Sequence, residues 1–113
     1  MTNKETENKI AQLQMLEQNA QNITMQKQTL QAQLIEVNNA KEEVEKSKGL
    51  VYKIIGSVMV SSNKEDVKKD LDSKKEVLDL KIKSIEKQEN QLREKASKMQ
   101  EEVLSEINKK GEK

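Results

Sequence analysis

Three features predict a mainly α fold: two long helices forming an antiparallel coiled coil, joined by one short β-hairpin. Both halves of the chain carry apolar residues in alternating steps of three and four, the heptad pattern of helices that pair along a seam. Between them lies a β-branched island, Leu50-Val51-Tyr52-Lys53-Ile54-Ile55-Gly56-Ser57-Val58-Met59-Val60. The 113 residues include no Pro and only three Gly, so little interrupts a long helix on either side.

The first helix is expected over about residues 4–47. Thr2-x-x-Glu5 is a capping-box pattern. The seam then runs through Leu13, Leu16, Ala20, Ile23, Lys27, Leu30, Leu34, Val37, Lys41 and Val44, eight of the ten being apolar. Its mean step of about 3.5 residues belongs to a left-handed coiled coil. Lys27 and Lys41 interrupt it, and their stems are expected to lie along the seam while the ammonium groups reach water. The outer face is rich in amides, including Gln12, Gln14, Gln18, Gln21, Gln26, Gln28, Gln31 and Gln33, read as a solvated surface, with client contact as the alternative. About 40 residues at a rise of about 1.5 Å make an arm of roughly 60 Å, too long and thin to be stable without a partner along its seam. Lys46 and Lys48 complement the negative helix end, and Gly49 suits the C′ position.

The hairpin is expected over about 50–61, with Gly56 as its turn. Five of its eleven residues are Val or Ile, and it holds the single aromatic residue, Tyr52. An isolated two-stranded hairpin is marginal in water, so this one is expected to complete its sheet with strands from other subunits. Val51, Tyr52, Ile54, Ile55, Val58 and Val60 are the expected oligomerisation residues. The alternative is that they pack on the chain's own helix ends.

The second helix is expected over about 63–110, started by the capping box Ser62-x-x-Glu65. Its seam is Leu71, Lys75, Leu78, Ile82, Ile85, Glu89, Leu92, Ala96, Met99, Val103 and Glu106. Acid-first pairs at i,i+4 line the outer face: Asp70–Lys74, Asp79–Lys83, Glu94–Lys98 and Glu106–Lys110. Gly111-Glu112-Lys113 is expected to fray. Two such arms joined by a chain-reversing hairpin will fold back on each other, bringing both termini together far from the hairpin.

Composition excludes several function classes. With 33% hydrophobic residues, 36% charged and no Phe or Trp, no sizeable globular core can form. Lys and Arg number 21 against 20 acidic residues, interleaved, for a net charge of +1; this argues against a general nucleic-acid or membrane surface. Without Cys or His, disulfides, thiol and imidazole chemistry and the common zinc sites are absent. The polar N-terminal run and the lack of about 18 consecutive apolar residues lead to the expectation of a soluble, cytoplasmic protein. Glu42-Glu43 and Glu101-Glu102 are neighbouring carboxylates, but adjacent helical residues diverge, so neither catalysis nor calcium binding is expected. An enzyme is not expected, nor is a cofactor.

The order of parts, and Val51-Tyr52-Lys53-Ile54-Ile55-Gly56-Ser57-Val58-Met59-Val60 in particular, resemble the β-class subunits of prefoldin, whose pattern is close to V-Y-K-x-x-G-x-V/I-L/M-V/I. Ala20-Gln21-Asn22-Ile23-Thr24-Met25-Gln26-Lys27-Gln28 is similar to the family's A-Q-x-I-x-x-Q-K-Q run, and Ile85-Glu86-Lys87-Gln88-Glu89 to its I-E-x-Q-E run. The resemblance implies a single prefoldin-like domain over residues 1–113 and a heterohexamer of two α and four β subunits, whose hairpins build an intersubunit β-barrel platform. It also implies an ATP-independent holdase whose coiled-coil tips hold non-native clients and deliver them to a group II chaperonin, with no nucleic acid or membrane as partner.

For client capture the candidates are Ile10, Leu13, Met15 and Leu16 on the first arm and Met99, Val103, Leu104 and Ile107 on the second. Met15 and Leu104 lie off the seam, and Ile10 and Ile107 flank it, widening the apolar stripe near the tip; flexible thioethers suit a binder of many partners. Plain seam packing is the alternative for Leu13, Leu16, Met99 and Val103. Rival functions are a structural coiled-coil adaptor docking one folded partner, and an RNA-binding arm, which would need a basic stripe.

Overall fold

The computed structural model describes residues 4–111, with side chains through Lys109. In chain order the elements are α1 (Lys4–Lys46), β1 (Val51–Ile55), β2 (Val58–Ser62) and α2 (Lys64–Gly111). Thr2 of the expected first capping box lies outside the described residues, as do Glu112 and Lys113; Gly111 is the last residue of α2. The chain divides into two units, one of α1 up to Lys27 with α2 from Ser84, the other of Gln28–Lys83 with the hairpin.

In the first unit α1 and α2 run antiparallel. Lys9 meets Glu106 while Lys27 meets Glu89, so residue number rises on one helix as it falls on the other. Leu13, Leu16, Ala20 and Ile23 of α1, and Leu92, Ala96 and Met99 of α2, are half-buried, and Val103 is buried. The same sense of packing recurs in the second unit, where Lys41 pairs with Asp72 and Glu45 with Lys68, and Leu78 and Ile82 are its most buried apolar residues. Every position of both expected seams is buried or half-buried. Most stop at half-buried because a pair of helices covers a seam residue from one direction only.

Several local expectations are corrected. Lys27 and Lys41 do not simply reach water: Lys27 Nζ lies 3.3 Å from Glu89 Oε1 and Lys41 Nζ 2.5 Å from Asp72 Oδ1. A carboxylate on the facing helix offers a charged partner where a free ammonium would have to bend back to solvent. Asp70 bonds Lys53 rather than Lys74, and neither Asp79–Lys83 nor Glu94–Lys98 is among the ion pairs of the described residues; exposed i,i+4 pairs gain too little to hold two long side chains in place. The side chain of Lys110 lies outside the described residues.

The helix ends also differ from expectation. α2 is capped by Asn63, not Ser62: Asn63 Oδ1 accepts from the Asp66 backbone N–H at 2.7 Å, and Asn63 Nδ2 donates to Asp66 Oδ2 at 3.0 Å. This reciprocal box sits one residue later because Ser62 remains in the β-ladder, paired with Val51. At the other junction α1 ends before Gly49, which does not adopt a positive φ. Lys64 Nζ caps it instead, donating to the carbonyls of Glu45 and Ser47 at 2.8 and 3.4 Å, groups that a helix terminus leaves without partners.

Candidate functional site

The hairpin is a two-residue connection. β1 and β2 pair antiparallel from Val51↔Ser62 to Ile55↔Val58, leaving Gly56-Ser57 as the loop. Gly56 has φ of 62° and, among the described residues, no residue other than glycine has a positive φ, the pattern of a II′ turn whose twist matches the strands. Alternation puts Tyr52, Ile54 and Met59 on one face and Val51, Lys53, Ile55, Val58 and Val60 on the other. Lys53 forms an ion pair with Asp70 of α2, so the second face is the one turned to the helix. Even there only Val51 and its partner Ser62 are half-buried. Tyr52, Ile54, Ile55, Val58 and Val60 are exposed, Ile54 at 70%, and the two strands have no further strand beside them among the described residues.

In the first unit the structure brings Met15, Leu16 and Met99 together along one open groove of 390 Å³, with Gln12 and Asn19 on the α1 rim and Lys95, Lys98 and Glu102 on the α2 rim. Met15 is 63% exposed. Leu104 and Ile107 are also exposed, but helical spacing puts them on the opposite flank of the seam from Lys98 and Glu102. Ile10 and Leu13 are half-buried, and Val103 at 7% exposure is a core residue. The eight candidates are therefore one groove-lining group, one flanking pair and a packed remainder. A second groove, of 450 Å³, lies in the hairpin unit at Val37, Val77 and Leu78, with Glu36 on its α1 rim.

Two polar layers cross the seam of the first unit, and the candidate list contained neither. Thr24 Oγ1 and Lys27 Nζ both donate to Glu89, at 3.2 and 3.3 Å. Thr6 Oγ1 and Lys9 Nζ both donate to Glu106, at 2.5 and 2.6 Å, with Lys9 also 3.6 Å from Glu102. Thr6 is 1% exposed, the most buried side chain described. The signal was present: stepping back from Leu13 by four and then three reaches Lys9 and Thr6. The Lys27 hydrogen bond holds the Glu89 carboxyl below its ordinary value of 4.5, and the hydrogen bond to Glu106 raises Lys9 above 10.5. In the hairpin unit the Glu45–Lys68 hydrogen bond lowers the first and raises the second.

Among the described residues no cluster of metal-ligating side chains occurs, and no helix is long and apolar enough to cross a membrane. The family profile described as "Prefoldin subunit" matches residues 7–110. The chain belongs to the prefoldin family. Prefoldin subunit beta of Archaeoglobus fulgidus is 37% identical over 101 residues, covering 88% of this chain and 87% of its own. That of Methanococcoides burtonii is 32% identical over 110 residues, covering 96% and 94%. The crystal structure of the prefoldin beta subunit from Thermococcus strain KS-1 superposes with a TM-score of 0.87 at 29% identity, over 93% of this chain and 96% of that one. Prefoldin subunits are chaperone subunits, and this places the chain in that class. The two helical runs that resemble prefoldin meet each other: Lys27 of the first bonds Glu89 of the second.

Proposed function

We propose that this chain is the β-type subunit of an ATP-independent prefoldin holdase, acting as one domain over residues 1–113 without cofactor or catalytic step. The hairpin, through Val51, Tyr52, Ile54, Ile55, Val58 and Val60 around the Gly56 turn, joins it to an α subunit and to copies of itself in a hexamer of two α and four β chains. The terminus-bearing part of the coiled coil holds non-native proteins in the cytoplasm, and the assembly hands them to a group II chaperonin.

The observation that carries this reading is the hairpin: a strand pair this apolar, with its side chains in solvent and unpaired backbone at its edges, is stable in water only when other strands cover it. The test is the mass of the chain by light scattering, alone and mixed with a prefoldin α subunit, followed by turbidity of a refolding client. A mixture-dependent species of six subunits that suppresses aggregation without ATP is expected. A chain that stays monomeric or dimeric with every partner and leaves turbidity unchanged would instead be an adaptor.

A further inference from the structure

Lys53 is the only charged residue between Lys48 and Lys64, and it stands in the middle of a largely apolar face. By register and alternation that face carries Val51, Lys53 and Ile55 of β1 beside Val58, Val60 and Ser62 of β2. It is the face turned to the chain's own α2, yet it is not packed there: Ile55, Val58 and Val60 are 59%, 59% and 42% exposed. Burial of apolar side chains is favourable wherever a surface can cover them, so something keeps this face off the helix beside it.

Lys53 supplies the reason. Its ammonium forms an ion pair with Asp70 near the start of α2, although Lys74 lies one turn further along the same helix. Among the described residues no other side chain of the two strands bonds a helix. Closing the face onto α2 would carry a charged ammonium into an apolar contact, which is costly. Both partners of the pair are nearly half exposed, and a pair so exposed adds little to stability. What it fixes is the distance and direction of the hairpin.

We propose that Lys53 is a positioning residue: tied to Asp70 by its long stem, it props the hairpin off the helix and keeps Ile55, Val58 and Val60 open to the strands of a neighbouring chain. The proposal rests on the hairpin-mediated assembly argued above and names the residue that keeps the hairpin fit for it. A lysine turned inward on an exposed strand pair can also discourage stray edge pairing by charge alone. That role needs no partner on α2.

The test is a charge swap in the full-length chain, read by light scattering as the concentration at which half the chain enters a mixed species with a prefoldin α subunit. K53E keeps a charge on the strand but sets it against Asp70. The half-point should rise about fivefold, the scale of one exposed pair, and K53E/D70K should bring it back. K53L should raise it too, and nuclear Overhauser spectra of the K53L chain alone should show contacts from the Val58 and Val60 methyls to the first turns of α2 that the unaltered chain lacks. Helical circular dichroism should be alike in all variants. Assembly of K53E equal to that of the unaltered chain would leave charge alone at work and overturn the proposal. A K53E/D70K chain no better than K53E, or a K53L chain without the new contacts, would overturn it as well. If the unaltered chain forms no mixed species, the assembly reading fails by itself, and the K53L contacts alone decide whether Lys53 props the hairpin.

Discussion

Lys27 of α1 and Glu89 of α2 meet across the coiled-coil seam with Nζ 3.3 Å from Oε1, and both side chains are largely withdrawn from solvent, at 24% and 14% exposure. Each occupies a position where the heptad calls for an apolar residue. A charged pair in a seam favours the one register in which its members face each other, since a slip by a heptad would leave both without partners. Removing one member should therefore hurt more than removing both. K27A and E89A are each expected to lower the thermal midpoint followed by circular dichroism, and K27L/E89L to recover it. Single variants that melt with the unaltered chain would show that the pair is solvated and idle.

The same pair sets a pH dependence. Glu89 and Glu45 have folded-state values lowered from 4.5 by hydrogen bonds from Lys27 and Lys68. A lowered carboxylate contributes stability that is fully present above its unfolded value and is lost as pH falls through the folded one. The melting temperature should hold from neutral pH down to about 4.5 and decline below it. E89Q, unable to ionise, should start lower and decline less. At the alkaline end the sign reverses: Lys9 and Lys68, raised above 10.5, contribute below that value and lose their contribution as pH climbs through the raised ones. A melting temperature that falls in step for E89Q and the unaltered chain would remove Glu89 from the account.

The seams were legible because burial along a helix pair follows spacing alone: Leu78, Ile82 and Val103 are the most buried apolar residues, and all three are seam positions. That Gly56 makes the turn was legible for a similar reason, being local chemistry between two β-branched runs; its type was not read. Lys27 to Glu89 was not, because partners across an antiparallel seam depend on the register of two segments some sixty residues apart. The Lys64 cap of α1 escaped for the same reason, since it depends on how the hairpin returns the chain. Thr6 was missed because a polar residue in an apolar period reads as the end of the pattern rather than its continuation.

Asn63 and Ser62 offer a sharp comparison. Only Asn63 bonds the first turn of α2, while Ser62 ends β2. N63A should destabilise the chain by about 1 kcal/mol, the usual worth of an N-cap side chain, and N63D by much less. S62A should change little. Urea unfolding followed at the helical signal measures all three, and an S62A loss matching that of N63A would return the cap to Ser62.

Gly56 should tolerate side chains according to their comfort at positive φ, because a Cβ there would meet no atom within 4 Å and sterics from neighbours are not at issue. At φ of 62° an ordinary L-residue costs roughly 1–2 kcal/mol, and Asn less. G56V should weaken assembly with an α subunit by light scattering, and G56N should fall between it and the unaltered chain. The helices do not depend on this turn conformation, so helical ellipticity at low temperature should be similar in all three. Equal assembly by G56V would mean that the turn is free to change type.

Met15, Leu104 and Ile107 are 63%, 52% and 42% exposed, whereas Val103 beside them is 7% exposed. The contrast separates capture from packing. Replacing the three exposed residues by Ser removes little buried area, so M15S/L104S/I107S should keep its melting temperature within a few degrees and its hexamer intact. If these side chains contact clients, its suppression of client turbidity should nevertheless drop several-fold. V103S leaves a hydroxyl and a smaller side chain in the seam and should lower the melting temperature outright. Separate M15S and L104S/I107S variants then divide the loss between the groove and the opposite flank. Suppression unchanged in the triple variant would sink the assignment of capture to these residues, because neither unfolding nor disassembly could be masking the effect.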